Sequence, residues 1–312
     1  MTTSADLDSA APPAWYTAAL ATPVTEREIT VEGTPIAYRA WGEPTGRGIV
    51  LVHGAAAHSR WWDHVGPLLV SGRRVVALDL SGHGDSGRRD AYGLEIWMRE
   101  VLAVIADAGL DVPPVVIGHS LGGAVTLRLA ALSGYPIEGA VLIDSPMIGP
   151  VADKRATRER RAFGAATRLY PSREAIISQF SPMPSQPVLG YVADHVAATS
   201  IREVPGGWTW KWDPAIFARE RVENPLVRLD CRVALVHAEH GMVSAERRDA
   251  MYDQLGRVAS VVEVPGARHH IMLDQPLALI ATIRTLLSDW AHSLPSSGVG
   301  RPYRRAERDR RR

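Results

Sequence analysis

The stretch Val115-Val116-Ile117-Gly118-His119-Ser120-Leu121-Gly122-Gly123 decides the fold: an apolar strand runs into a turn with a serine at its tip. A serine hydroxyl attacks a carbonyl only when a base takes its proton and the backbone presents it to substrate. A sharp strand-to-helix turn does the presenting, and it needs small residues two before and two after the serine so that strand and helix can approach. Gly118 and Gly122 meet that need. Residues 124–132 follow, rich in Ala and Leu with Arg128 as the one charge, which predicts a helix packed on a sheet. The competing reading of this stretch is a glycine-rich corner around a buried serine, because a bare G-x-S-x-G is common by chance.

Outward from that turn, apolar runs at 48–53, 74–80, 139–143, 232–237 and 260–264 read as short buried strands. Residues 29–31 and 36–39 flank Glu32-Gly33-Thr34-Pro35 as a hairpin. Helical spacing covers 94–108, stopped by Pro113-Pro114, and a closing helix runs from about 276 to 290. Fully apolar strands alternating with helices imply an α/β fold, a doubly wound, mostly parallel sheet covered on both faces. The alternation breaks between Met147 and Leu229, where an arginine-rich stretch, several prolines and Trp208-Thr209-Trp210-Lys211-Trp212 intervene. That insertion follows the strand ending at Asp144 and is expected to form a helical cap over the carboxyl ends of the strands, where doubly wound sheets place their sites. The expected organisation is a flexible N-terminal arm (1–25), a core (26–146 and 230–293), a helical cap (147–229) and a disordered arginine-rich tail (294–312).

Composition sets the outer bounds. The hydrophobic share of 46% and charged share of 22% are those of a globular protein. No apolar run approaches bilayer length, and residues 1–13 carry no basic segment leading into an apolar one, so a cytoplasmic location is expected. The single cysteine, Cys231, excludes an internal disulfide and fits a reducing compartment. The net charge of +1 hides an asymmetry: residues 301–312 hold seven arginines against Glu307 and Asp309, so the rest of the chain is mildly negative. Such a body does not suit nucleic acid, and the short tail reads as a solvated terminus. The expected partner is a small-molecule substrate, with neither nucleic acid nor membrane.

Further residues complete a chemistry around Ser120. His53-Gly54 follows a buried strand and precedes Ala55. An oxyanion hole needs one backbone donor just after the nucleophile and one from an earlier strand-end loop, which points to Leu121 and Ala55 N–H. Asp79-Leu80-Ser81-Gly82-His83-Gly84-Asp85-Ser86 is a strand end with a tight polar turn. Pro265-Gly266-Ala267-Arg268-His269-His270-Ile271-Met272-Leu273-Asp274-Gln275-Pro276 follows the last strand, so a base on that loop can fold back over the strand ends.

These residues resemble the α/β-hydrolase superfamily in its capped, esterase-like branch, over roughly 29–292. The resemblance implies His269 as the base, in preference to His270, although Arg268 stands where the family usually has glycine. It also implies an acid after the strand that ends at His237, but Gly241 occupies that position. Some branches carry the acid one unit after the serine turn, which selects Asp144; Glu239 is the rival. Asp144 also fits a bland role as the starter of a turn before Ser145-Pro146. Trp61, Met147 and Trp208 are candidates for the pocket wall. No metal or cofactor is expected. The reaction so implied is hydrolysis of an ester-type bond of a small apolar or aromatic substrate through a Ser120–His269–Asp144 triad and an acyl-enzyme. Thioester, lactone or carbon–carbon hydrolysis, or a non-catalytic ligand-binding role, are the alternatives.

Overall fold

The computed structural model describes residues 11–44, 46–132, 134–146, 168–217 and 229–293. The candidate Met147, the arginine-rich stretch 152–167 and the tail from 294 lie outside them. Eight strands form one sheet in the order β1-β2-β4-β3-β5-β6-β9-β10. They are β1 (Thr25–Val31), β2 (Thr34–Trp41), β3 (Gly48–Val52), β4 (Arg74–Leu78), β5 (Val115–His119), β6 (Gly139–Ile143), β9 (Arg232–His240) and β10 (Ser260–Arg268). Strands β1 and β2 form the expected antiparallel hairpin, and Glu32 and Gly33 both take positive φ at its turn, as a two-residue hairpin loop requires. From β4 to β10 every pairing is parallel.

Alternate residues of each central strand go to opposite layers. Ile49 and Leu51 of β3 join one core and Val50 and Val52 the other, all fully buried. This two-sided burial is why these strands read as unbroken apolar runs. Helices α2 (Leu94–Asp107) and α3 (Leu121–Leu132) pack on the Val50–Val52 side, and the closing helix Pro276–His292 covers the Ile49–Leu51 side.

Two expectations need correction. Residues 14–25, expected to belong to a loose arm, include a helix, α1 (Ala14–Leu20), and the start of β1. Tyr16 is 2% exposed and its hydroxyl donates to the Tyr191 carbonyl at 3.0 Å, so an aromatic anchor orders what composition alone reads as loose. The described part of the inserted region is also not purely helical. It holds α4 (Arg173–Ile177), α5 (Gly190–Thr199) and an antiparallel pair, β7 (Ile201–Val204) and β8 (Gly207–Trp210). Trp208 and Trp210, at the period of a strand, belong to that hairpin, and Trp212 follows it in an isolated bridge to His83.

This region is tied to the core by polar contacts. His195 of α5 reaches Asp63 at 3.0 Å, and Asp63 also accepts from Arg39 at 3.0 Å. The His58 ring pairs with the Ser200 hydroxyl at 2.8 Å, and Lys211 forms an ion pair with Asp85 at 2.7 Å.

Candidate active site

Ser120 sits between β5 and α3 with φ +52°, a left-handed backbone that a β-bearing residue adopts only under constraint. The constraint is close packing. A Cβ on Gly118 would stand 2.2 Å from the Gly122 carbonyl oxygen, and one on Gly122 would stand 2.2 Å from that of Val52. Neither collision can be relieved, because the opposing atoms are backbone. A Cβ on Gly123 would likewise meet the Ser145 hydroxyl at 1.9 Å. The Ser120 N–H donates to the Ile143 carbonyl at 3.0 Å, which ties the turn to the end of β6.

The next residue of that strand end is Asp144, fully buried. His269 bridges the two: its Nδ1 lies 2.7 Å from Asp144 Oδ2 and its Nε2 lies 3.1 Å from Ser120 Oγ. The carboxylate–imidazole–hydroxyl chain predicted from sequence is thus assembled in space from three separate strand ends. The carboxylate accepts a hydrogen bond from Nδ1–H and so holds the proton on that nitrogen, leaving the Nε2 lone pair facing the serine. Burial pushes the Asp144 carboxyl up, but the hydrogen bond and charge of His269, with the Met242 N–H at 2.8 Å, bring it below the ordinary carboxylate value.

Gly241 explains why this carboxylate comes from β6. A Cβ at 241 would stand 2.3 Å from Asp144 Oδ1, so the Asp144 carboxylate fills the space over the bare glycine. Glu239, the rival, is exposed, and its Oε2 accepts from the Gly266 N–H at 2.7 Å. That bond falls within an irregularity of β10 between Val264 and Arg268, just before His269. The strand therefore extends four residues past its expected end at 264, and Arg268 precedes the histidine within it.

The His53–Gly54 loop runs beside the serine: a Cβ on Gly54 would lie 3.4 Å from Ser120 Cβ. His53 spends both ring nitrogens on this loop, Nδ1–H donating to the Gly54 carbonyl at 2.7 Å and Nε2 accepting from Leu80 N–H at 3.1 Å. Burial pushes its pKa down to about 4. Ala55 is half-buried beyond that loop, and Leu121 is the first residue of α3, whose opening N–H groups have no partner within the helix. The Asp79 turn is a brace: its carboxylate accepts from Ser59 N–H at 2.6 Å and Asp85 N–H at 2.8 Å, which holds the segment carrying Trp61.

Trp61 is 5% exposed and packs against His270 (5.3 Å between centroids) and Phe180 (6.3 Å). Phe180 continues to Trp210 at 6.2 Å, so Trp210 extends the aromatic wall. Trp208 lies two residues earlier on β8, its backbone paired with Tyr170; no ring contact joins it to His269 among the described residues.

Sequence reasoning missed two supports. His119 donates from Nε2 to the His269 carbonyl at 2.8 Å, and burial, then the nearby His269, lowers its pKa to about 3. Its signal is only its place beside Ser120. Gln186 clamps the histidine loop, its Oε1 accepting from His270 N–H at 2.9 Å and its Nε2 donating to Asp274 at 3.1 Å. It carries no local signal. One ring nitrogen each of His119, His269 and His270 lies within 4.8 Å of the others, the arrangement among the described residues most able to hold a metal ion.

The family model for the alpha/beta hydrolase family matches residues 49–283, three-quarters of the chain and both sides of the inserted region. The chain belongs to the alpha/beta hydrolase family. It is a hydrolase of that fold. The chain is 27% identical over 275 residues to an esterase of Mycobacterium tuberculosis, covering 85% of this chain and 90% of the esterase. It is 25% identical over 277 residues to a serine hydrolase-like protein of Danio rerio, covering 80% and 84%. The crystal structure of E-2-(acetamidomethylene)succinate hydrolase superposes with a TM-score of 0.75 over 85% of this chain and all of that one, at 20% identity, which speaks to the fold alone. No helix among the described residues is long and apolar enough to cross a membrane.

Proposed function

We propose that the chain is a serine hydrolase that cleaves an ester-type bond of a small apolar or aromatic substrate through an acyl-enzyme. The observation that carries this reading is His269 standing between Ser120 and Asp144 at hydrogen-bond distance from each. In the first half-reaction the Ser120 oxygen attacks the carbonyl carbon while His269 Nε2 takes its proton. Asp144 keeps Nδ1 protonated and stabilises the imidazolium. The oxyanion accepts hydrogen bonds from Ala55 and Leu121 N–H, donors fixed in place before charge develops. His269 then protonates the departing alcohol, leaving Ser120 acylated. Water, deprotonated by the same nitrogen, attacks the acyl carbon and releases the acid with the serine restored.

The esterase and serine hydrolase-like relatives support ester chemistry, and the Trp61–Phe180–Trp210 wall supports an apolar or aromatic group on the substrate. The cap division at 147–229 is part of the same proposal: α5 and the β7–β8 hairpin would bound the pocket from above. The test is hydrolysis of a p-nitrophenyl ester series together with labelling by a fluorophosphonate. Labelling and turnover are expected in the wild type, with a loss of kcat on the order of 10⁶-fold in Ser120→Ala. Folded wild-type protein that neither labels nor turns over any ester would overturn the reading.

A further inference from the structure

His270 stands beside the triad without a part in it. It is 3% exposed, and no aligned hydrogen bond reaches either ring nitrogen among the described residues. Burial, then the neighbouring His269 and His119, holds the ring neutral, and the Met183 backbone offsets only part of this. Apart from the Met183 backbone, nothing among the described residues satisfies this buried imidazole, so a ring nitrogen stands open to a ligand.

The surrounding rings suggest which ligand. One nitrogen from each of His119, His269 and His270 lies within 4.8 Å of the others. Nitrogens around a tetrahedral Zn2+ stand roughly 3.3 Å apart, given bonds of about 2.0–2.1 Å, so ring movements of about 1 Å bring all three onto one ion. His269 already has the outer partner such a ligand needs: its Nδ1–H donates to the Asp144 carboxylate at 2.7 Å, leaving Nε2 as the donor atom. His119 spends Nε2–H on the His269 carbonyl, which leaves its Nδ1 lone pair unprotonated. Neutral imidazoles suit Zn2+ and Cu2+ and suit Mg2+ poorly.

We propose that His269, His270 and His119 form an inhibitory site for Zn2+ or Cu2+, in which the ion takes the His269 Nε2 lone pair that would otherwise accept the Ser120 proton. That the ion inhibits rests on the proposed hydrolase mechanism; that it binds does not.

Binding is therefore measured apart from activity, by calorimetric titration of Zn2+ and Mg2+ into the full chain carrying Ser120→Ala, alone and with His270→Phe or His270→Asn. One Zn2+ per chain is expected, weakened at least about tenfold by either His270 change, with no heat from Mg2+. In the wild type, Zn2+ is expected to slow fluorophosphonate labelling of Ser120 and a chelator to restore it. In His270→Phe the zinc concentration giving half-inhibition rises by a similar factor, against that variant's own zinc-free rate. Equal zinc affinity in the His270 variants would overturn the site and assign the binding to surface histidines. Zinc bound as expected with Ser120 unlabelled at any zinc level would leave the site standing and remove the hydrolase mechanism. Labelling that zinc never slows would remove the inhibitory site alone.

Discussion

The ends of β6 and β9 lie side by side in the sheet, and they treat their acidic residues in opposite ways. At β6 the chain turns sharply at Asp144, with φ +40°, and buries the carboxylate completely. At β9 the strand runs on to His240, Glu239 is exposed, and Gly241 contributes no side chain. The carboxylate from β6 fills the space that a side chain from β9 would need. The two strand ends are thus alternative suppliers of one point in space, the point opposite His269 Nδ1. What His269 would need to act as the proposed base is a negative charge and an acceptor there, and the chain position that delivers it is free to differ.

The largest expected effect separates the two suppliers directly. Asp144→Asn should lower kcat on the order of 10⁴-fold by losing the tautomer and the charge, while Glu239→Gln should leave ester turnover nearly untouched. The reverse pattern would move the acid to β9. A relocated acid makes a sharper form of the test: Asp144→Gly with Gly241→Asp should recover part of the activity lost in Asp144→Gly alone.

A smaller effect is expected from Gly241→Ala in the otherwise native chain. The added methyl must displace the Asp144 carboxylate, so chemical denaturation should show a loss of about 1–3 kcal/mol, accompanied by a fall in kcat. Native stability in that variant would mean that the two loops are less tightly fitted than the 2.3 Å approach implies.

The smallest effect concerns a second carboxylate on the histidine loop. Burial raises Asp274 to about 6, whereas Asp144 is held below the ordinary range. Between about pH 4, where an unfolded Asp ionises, and pH 6 the folded Asp274 holds a proton that the unfolded chain has lost, so stability falls as pH rises through that window. Asp144 has the opposite sign: its contribution is present above the unfolded value and is lost as pH falls through its folded value. Melting temperatures from pH 4 to 7 should show Asp274→Asn losing less stability than the wild type as pH rises. Parallel curves for the two proteins would rule out that role for Asp274.

Much of this was legible from local pattern. Short apolar runs mark strands buried on both faces, the glycines around Ser120 mark a turn where backbone meets backbone, and His269 follows the last strand. The α1 helix was not legible, because it is held by tertiary contacts, among them Tyr16 on Tyr191 and His64. The β7–β8 hairpin hid behind a tryptophan repeat that fits several structures. Gln186 was invisible because a clamp 84 residues from its partner leaves no local trace.

The sequence by itself determined the sheet, the strained serine turn and the vacancy at Gly241, since each follows from residue size and polarity within a few positions. Only the tertiary structure decided that Asp144 and not Glu239 faces His269, and that His119 and His270 crowd the same ring. Those outcomes depend on which strand ends lie adjacent and which way each chain turns on leaving the sheet, and neither is encoded within one segment.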